Sequence, residues 1–245
     1  MRIFMDFKEA MEEVKRDLAE MGHTVHPRSV QNQIVEGNPD YDTKEITNYT
    51  YMVLNPVKSL NQLSPSQPWS DMEALERFGN ERLNPGEAWK ARPEIWSQYI
   101  DKETGKNDYT YPERFNPIVD IYSPDSHLTP LDKIAKELAS NPDSRQCFLS
   151  IWEAQDIYNI GGHKRVPCSL GYQFQIREGK LNITYLQRSA DFATHFHNDL
   201  YLAVRTAVEV AQRIGDINGT YYEVGSYTHW IGSLHIFKKD IKEVF

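Results

Sequence analysis

A cysteine and an arginine twenty residues apart are the pair in this chain most capable of chemistry together. Cys168 follows Pro167, and Arg188 lies in the run Gln187-Arg188-Ser189-Ala190-Asp191. A thiolate is the reactive form of cysteine, and a nearby guanidinium lowers the pKa of a thiol. The same guanidinium can bind a phosphate through two parallel hydrogen bonds. The spacing, with a hairpin predicted over residues 169–187, therefore predicts a nucleophile beside an anion site.

The composition and net charge of the chain limit the classes of ligand and partner that we expect it to bind. The chain has 245 residues, of which 40% are hydrophobic, and its formal net charge is −8. An acidic chain of this kind is a poor binder of nucleic acid, so we expect any bound phosphate to belong to a small molecule. Two cysteines, Cys147 and Cys168, are too few for a disulfide framework and fit a reducing compartment. With no apolar leader and no apolar run of about 20 residues, we expect a soluble cytoplasmic protein without a membrane partner.

Hydrophobic periodicity predicts the elements that must position these residues. The predicted helices cover residues 5–21, 69–79, 86–100, a segment opened by Thr129-Pro130, and 199–214, the last ended by Gly215. The predicted strands lie within 28–54 and over 147–152, 169–176, 181–187, 221–224 and 229–237. The segment 56–68, rich in proline and serine, is interpreted as a long loop because neither flank is large enough to fold alone. These elements predict an α+β fold in which residues 1–245 form a single domain.

Four short motifs give a more specific interpretation. They occur in the order Asp143-Ser144-Arg145, Pro167-Cys168, Gln187-Arg188-Ser189-x-Asp191 and Gly232-Ser233-Leu234-His235. This order and spacing resemble the thymidylate synthase family, which includes the pyrimidine nucleotide hydroxymethylases of some phages. Weaker matches are Ile95-Trp96 and Tyr109-Thr110-Tyr111. The resemblance is good over 95–237 and weak over 1–90, and it implies a mixed sheet packed with helices and a homodimer formed through that sheet.

The resemblance implies a role for each matched residue. Cys168 would add to C6 of a pyrimidine nucleoside monophosphate, and C5 would then attack the one-carbon unit of 5,10-methylenetetrahydrofolate. The implied substrate-binding residues are Arg188 and Ser189 at the 5′-phosphate, Arg145 at the same phosphate from the partner subunit, His235 at the sugar, and Gln187 and Arg28. The other implied site residues are Trp96 and Tyr111 beside the reacting base and Asp191 at the pterin.

One departure from the synthase pattern bears on the base. Synthases carry an asparagine eight residues after the aspartate of the arginine motif, and here that position is Asp199. An amide can donate to uracil O4, whereas an ionised carboxylate can only accept. A carboxylate suits the 4-amino group of cytosine, and a proton shared with N3 completes the pair. Asp199 therefore resembles the cytosine-specific hydroxymethylases, as does Ser169, which follows the nucleophile where synthases usually have histidine.

Further departures leave parts of the site open. They are Gln146 for the second arginine of the phosphate motif, Phe237 for a sugar-binding tyrosine, His195 for a glycine, and a catalytic glutamate that could be Glu73 or Glu76. Only eight residues follow Phe237, so we expect no counterpart of the C-terminal segment that closes over folate in the synthases.

Each site residue also has a plainer interpretation. Cys168 could be a small core hydrophobe, Asp199 a helix cap, and His235 and Trp96 structural. The histidines His163, His195, His197 and His229 have no acidic or cysteine spacing typical of a zinc site, so we expect no metal.

Three functions remain open from the sequence. The first is folate-dependent C5 hydroxymethylation of a cytosine nucleotide, dCMP or CMP. The second is a thymidylate synthase or a uridylate hydroxymethylase that tolerates Asp199. The third is a nucleotide-binding protein of the same ancestry without turnover.

Overall fold

The computed structural model describes residues 1–31, 33–118, 127–161 and 164–245 of the chain. Its strands are β1 (Arg2–Phe4), β2 (His23–Val25), β3 (Ser29–Val30), β4 (Gln33–Ile34), β5 (Thr43–Val53), β6 (Phe148–Ser150), β7 (Ser169–Arg177), β8 (Lys180–Asp191) and β9 (Glu223–Phe237). Its α-helices are α1 (Phe7–Met21), α2 (Trp69–Phe78), α3 (Pro93–Trp96), α4 (Tyr111–Phe115), α5 (Pro130–Ser140), α6 (Phe196–Asn218) and α7 (Ile241–Val244).

A mixed sheet organises the described residues. Its strand order is β1-β5-β9-β8-β7-β6, and β2 pairs with the other end of β5. The pairs β1–β5 and β8–β9 are parallel, whereas β5–β9, β7–β8 and β6–β7 are antiparallel. The central strands β8 and β9 alternate buried and half-buried side chains, which is the pattern of strands with one face on a core.

Helices cover one face of this sheet. The long helix α6 contributes a fully buried stripe that includes Leu200, Val204, Ala207 and Ile214, as its 3.6-residue periodicity predicts. α1 begins at the N-cap Asp6, whose side chain accepts the amide of Glu9. Thr129 caps α5 through a reciprocal box with Asp132. The predicted α+β fold is confirmed.

Three predicted boundaries are wrong for identifiable reasons. The segment 86–100 is a 3₁₀ turn, the short helix α3 and a second 3₁₀ turn, because Pro93 disfavours helical geometry in the residue before it. α6 runs through Gly215 and ends at Gly219, which adopts a left-handed φ of 76°. Gly215 instead leaves room for the ring of Tyr221. The predicted strands 221–224 and 229–237 are one continuous strand, β9.

Candidate active site

A cavity of about 610 Å³ lies where β8 and β9 meet the start of β7 and of α6. Its volume is within the range of small-molecule sites. Nine of the residues predicted from the sequence line it: Trp96, Tyr111, Cys168, Gln187, Arg188, Ser189, Asp191, Asp199 and His235. Residues from five different elements thus converge on one space.

The nucleophile candidate and the arginine are in contact. Arg188 Nη2 lies 3.8 Å from Cys168 Sγ, and the same guanidinium donates to the carbonyl oxygens of Pro167 (2.7 Å) and Val166 (3.0 Å). The backbone amide of Arg188 also donates to the carbonyl of Cys168 at 2.8 Å. Burial raises the pKa of the Cys168 thiol, and Arg188 opposes that rise. The positive charge is therefore fixed where it stabilises a thiolate.

Asp199 is held as a hydrogen-bond acceptor by a chain of side chains. Gln187 Nε2 donates to Asp199 Oδ2 at 2.7 Å. Gln187 Oε1 lies 3.0 Å from His229 Nε2, and His229 Nδ1 lies 3.2 Å from the hydroxyl of Tyr51. Burial lowers the pKa of His229 to about 3, so the imidazole is neutral and carries one N–H; with that N–H on Nε2, facing the Gln187 oxygen, Nδ1 accepts from the protonated hydroxyl of Tyr51. His229 then donates from Nε2, and this sets the amide orientation of Gln187.

The pKa of the Asp199 carboxyl lies closer to neutral pH than that of an ordinary aspartate. Burial raises its pKa to about 6, against lowering effects from Gln187 and Arg77. The helix α6 begins at Phe196, so Asp199 lies inside the first turn and is not the N-cap. The N-cap of α6 is His195, so Asp199 does not cap the helix; as the acidic residue of the first turn it still lies where the helix dipole favours a negative charge, while its carboxylate accepts from Gln187.

Tyr111 lies between the start of β7, directly after Cys168, and the buried ion pair of Arg77 with Glu73. Its hydroxyl accepts from Ser169 Oγ at 3.2 Å, and its ring carries the guanidinium of Arg77 4.0 Å from the centroid. Arg77 Nε donates to Glu73 Oε1 at 2.9 Å. The i,i+4 spacing of Glu73 and Arg77 on α2 is a signal from which this ion pair could have been predicted.

The two glutamates that the sequence left open have different surroundings. Glu76 Oε1 accepts the backbone amides of Glu87 (2.6 Å) and Ala88 (2.9 Å), so it anchors the turn that follows. Glu73 instead borders a small cavity of about 40 Å³ that shares Trp96 and Tyr111 with the main cavity.

The opposite wall of the cavity is aromatic and polar. Trp96 stacks on Trp69 at 5.4 Å between ring centroids and lies 5.7 Å from the ring of His195. Burial lowers the pKa of His195 to about 4, so this imidazole is neutral at physiological pH. Asp191 Oδ1 accepts the amides of Ala193 and Thr194.

The far end of the cavity holds His235 on β9. His235 packs edge-on against Phe237, with ring centroids 5.3 Å apart. The neighbouring Ser233 donates from Oγ to Glu45 Oε2 at 2.8 Å, and Glu45 also lines the cavity. This end therefore offers both a histidine and a carboxylate to a hydroxylated ligand.

Two predicted residues lie outside the cavity of their own chain. The side chain of Arg28 is 81% exposed, and Arg28 Nε lies 3.6 Å from Glu36 Oε2. Arg145 is exposed just before β6 and does not line the cavity. An exposed Arg145 is compatible with binding the phosphate in the site of a second subunit, and this role stays a prediction.

Sequence reasoning missed several residues that the fold brings to the cavity. They are Arg77, Arg165 and Glu45, which line it, and His229, which orients Gln187. Arg165 lies three residues before Cys168, and this closeness in the sequence could have indicated that Arg165 belongs to the same site. For His229 no local pattern indicated the contact.

In residues 1–31, 33–118, 127–161 and 164–245 no group of three or more histidine, cysteine, aspartate or glutamate side chains could hold a metal ion. His163 lies outside the described residues. Among the described helices, none combines the length and apolar character needed to cross a bilayer.

Comparison with known proteins agrees with this geometry. The family model described as "Thymidylate synthase" matches residues 80–245, more than half of the chain. Thymidylate synthases of Listeria monocytogenes serotype 4a (strain HCC23) and Listeria innocua serovar 6a are similar to it. The first is 31% identical over 115 residues, covering 46% of this chain and 33% of the relative. The second is 27% identical over 147 residues, covering 56% and 44%. The matched segments thus span less than half the length of these relatives.

A solved structure is similar over almost the whole chain. The thermostable thymidylate synthase A from Bacillus subtilis superposes with a TM-score of 0.71, covering 98% of this chain and 83% of that one at 18% identity. At that identity the superposition shows the fold. Together with the family model, it confirms the resemblance predicted from the motifs: the chain belongs to the thymidylate synthase family.

Proposed function

We propose that the chain transfers a one-carbon unit from 5,10-methylenetetrahydrofolate to C5 of a cytosine nucleoside monophosphate, leaving a hydroxymethyl group. The observation that carries the proposal is the Gln187–Asp199 hydrogen bond, which presents a carboxyl to the cavity that contains Cys168. Membership of the thymidylate synthase family supports the general reaction.

The reaction begins with the thiolate of Cys168. Sulfur adds to C6, C5 becomes nucleophilic and forms a bond to the one-carbon unit, and the C5 proton is lost to a base. The bond from the one-carbon unit to tetrahydrofolate then breaks and leaves an exocyclic methylene group on C5, water adds its hydroxyl to that carbon, and the C6–S bond breaks to restore the pyrimidine. The guanidinium of Arg188, 3.8 Å from the sulfur, stabilises the thiolate in the first step and its release in the last.

Asp199 favours cytosine for a geometric reason. Gln187 occupies one lone pair of Oδ2, so the remaining acceptor sites of the carboxyl are available to the 4-amino group. With a pKa of about 6, the carboxyl can also hold the proton that N3 of cytosine accepts. Uracil O4 is an acceptor, and an ionised Asp199 would repel it.

Glu73 is the better candidate for the catalytic glutamate. Its carboxylate borders the small cavity next to Trp96 and Tyr111, whereas both amide contacts of Glu76 serve the turn at residues 87–88. Glu73 could accept or return a proton through that cavity. A Glu73→Gln variant should therefore lose turnover while it keeps nucleotide affinity.

Thymidylate synthesis from dUMP is the second candidate. The relatives of Listeria and Bacillus subtilis that are similar to the chain are thymidylate synthases. Under this alternative, Asp199 would bind uracil in its protonated form, donating to O4 with its O–H.

Release of tritium from C5 separates the candidates. The wild type is incubated with [5-³H]dCMP, CMP or dUMP and 5,10-methylenetetrahydrofolate, and products are identified by mass. Preferential release from a cytosine nucleotide with a hydroxymethyl product supports the proposal, and the two sugars compared show whether ribose or deoxyribose is used. Preferential release from dUMP supports the alternative. Nucleotide binding without any exchange would contradict both.

A further inference from the structure

Arg165 is a buried arginine for which the described residues supply no counter-charge. Only 7% of its surface is exposed. Its backbone amide donates to Asp108, and its guanidinium makes one long hydrogen bond, from Nε to Gln31 Oε1 at 3.4 Å. In the part of the chain that the structure describes, no carboxylate lies within ion-pair distance of this guanidinium.

Other buried arginines of the same region are paired. Arg114, also 7% exposed, contacts Asp156 at 2.6 and 3.0 Å and Glu153 at 2.9 Å. Arg77 is paired with Glu73. Burying a cation without an anion is unfavourable, so an unpaired Arg165 is a position where ligand binding can supply the missing charge.

The surroundings of Arg165 point its guanidinium at the cavity. It lies 3.8 Å from the ring centroid of Tyr99 and within 6 Å of those of Trp96 and Tyr109, and it lines both cavities. Stacking on a ring occupies a face of the guanidinium and leaves its edge N–H groups for an oxyanion in the same plane. Arg188 Nη2 donates to the carbonyl of Val166, the next residue, so the two cations belong to one wall.

We propose that Arg165 is a ligand-binding residue that pairs with an oxyanion of a bound ligand, supplementing Arg188. The proposal rests on the proposed function for the identity of the ligand. The oxyanion can come from two sources: the 5′-phosphate of the nucleotide, or a carboxylate of the glutamate tail of the folate.

Binding measurements with Arg165→Leu and Arg165→Lys distinguish the sources. Affinity is measured by calorimetry for dCMP and deoxycytidine, for tetrahydrofolate and tetrahydropteroate, and for inorganic phosphate. If the phosphate is the partner, Arg165→Leu should weaken dCMP roughly 10- to 100-fold, the range expected for a charge-assisted hydrogen bond, and leave deoxycytidine unchanged. If the glutamate tail is the partner, tetrahydrofolate should weaken by the same factor and tetrahydropteroate should not. Arg165→Lys should retain part of the affinity in either case.

Thermal unfolding gives a second readout that a structural role would not produce. Removing an unpaired buried charge should leave the midpoint of Arg165→Leu unchanged or raise it. The matched control Arg114→Leu removes an equally buried arginine but strands Asp156, so its midpoint should fall. Should Arg165→Leu not fold, Arg165→Gln, which keeps a polar group near Gln31, takes its place.

The outcomes are distinct. Equal affinity of wild type and variant for every probe overturns the proposal, as does a wild type that binds none of them, or a fall in stability without a change in affinity. The proposed function fails separately, when the wild type releases no tritium from C5.

Discussion

The pKa of the Cys168 thiol is set by opposing effects, of which burial and the charge of Arg188 are the two largest. Burial raises the thiol pKa, and Arg188 lowers it from 3.8 Å away. We predict that Cys168→Ser abolishes C5 tritium release while nucleotide binding and the unfolding midpoint stay close to wild type. The alcohol is similar in volume but a far poorer nucleophile at neutral pH. Product formation by the serine variant would remove Cys168 from the mechanism.

Asp199 should decide which base is accepted. We predict that the wild type prefers dCMP and that Asp199→Asn moves the preference towards dUMP, because the amide supplies the donor that O4 needs. A mispaired buried polar edge costs about 1–3 kcal/mol, so the ratio of kcat/KM values should move roughly tenfold to a hundredfold. Gln187 serves as the control site, since Gln187→Leu should lower turnover of both nucleotides. A wild type that already prefers dUMP would contradict this role.

The ionisation of Asp199 should also make the free energy of unfolding depend on pH. The pKa of Asp199 is raised from 3.8 to about 6 by burial, so the folded state holds its proton more tightly than the unfolded state. This stabilisation is complete below pH 3.8 and is lost as pH rises through 6. Asp199→Asn should therefore raise the free energy of unfolding by up to about 3 kcal/mol at pH 8 and by much less at pH 4. Denaturant unfolding at both pH values measures it, and an equal effect at both would exclude Asp199 as the titrating group.

At the scale of the secondary-structure elements, the pairing of β8 with β9 fixes the position of Arg188. A Cβ on Gly232 would lie 2.8 Å from the carbonyl oxygen of Arg188, so the two strands approach as closely as they do only because residue 232 is glycine. We predict that Gly232→Ala costs about 1–3 kcal/mol of stability and weakens dCMP binding through a displaced Arg188. Thr228→Ala on the same strand, away from the cavity, should change dCMP affinity little. Unaltered binding in Gly232→Ala would show that the backbone can adjust without moving Arg188.

At the scale of the whole molecule, the helices of the described residues leave the second face of the sheet uncovered. Met52, Leu186 and Trp230 lie on this face and are half-buried in a single chain. Leu186 and Trp230 are direct partners across β8 and β9. A face of this kind is suited to pairing with a second copy, as the resemblance implied.

A shared site would explain the position of Arg145. We predict a homodimer in which Arg145 of each subunit binds the phosphate in the other, so Arg145→Ala and Cys168→Ser should each be inactive alone. Mixed dimers should regain activity, up to about a quarter of the wild-type level for random exchange, because one site per mixed dimer is intact. Tritium release after subunit exchange measures this. No recovery despite demonstrated exchange would count against shared sites.

The sequence by itself determined the family, the nucleophile candidate and most of the amphipathic elements. These depend on local order: the motif around Arg188 follows Cys168 at a fixed spacing, and α1, α5 and α6 each carry a 3.6-residue apolar stripe. A capping threonine before a proline is enough to place the start of α5.

Only the tertiary structure decided how these residues act together. His229 orients Gln187 from 42 positions along the chain, and Ser233 contacts Glu45 across 188 positions. The sequence left the choice between Glu73 and Glu76 open, and the fold separates them: Glu73 pairs with Arg77 and borders the small cavity, whereas Glu76 accepts the amides of Glu87 and Ala88. The unpaired state of Arg165 likewise exists only once surrounding side chains have excluded water and every carboxylate of the described residues lies elsewhere. Periodicity encodes which face of an element is buried, whereas hydrogen-bond partners and counter-charges depend on contacts between distant segments, which no local pattern specifies.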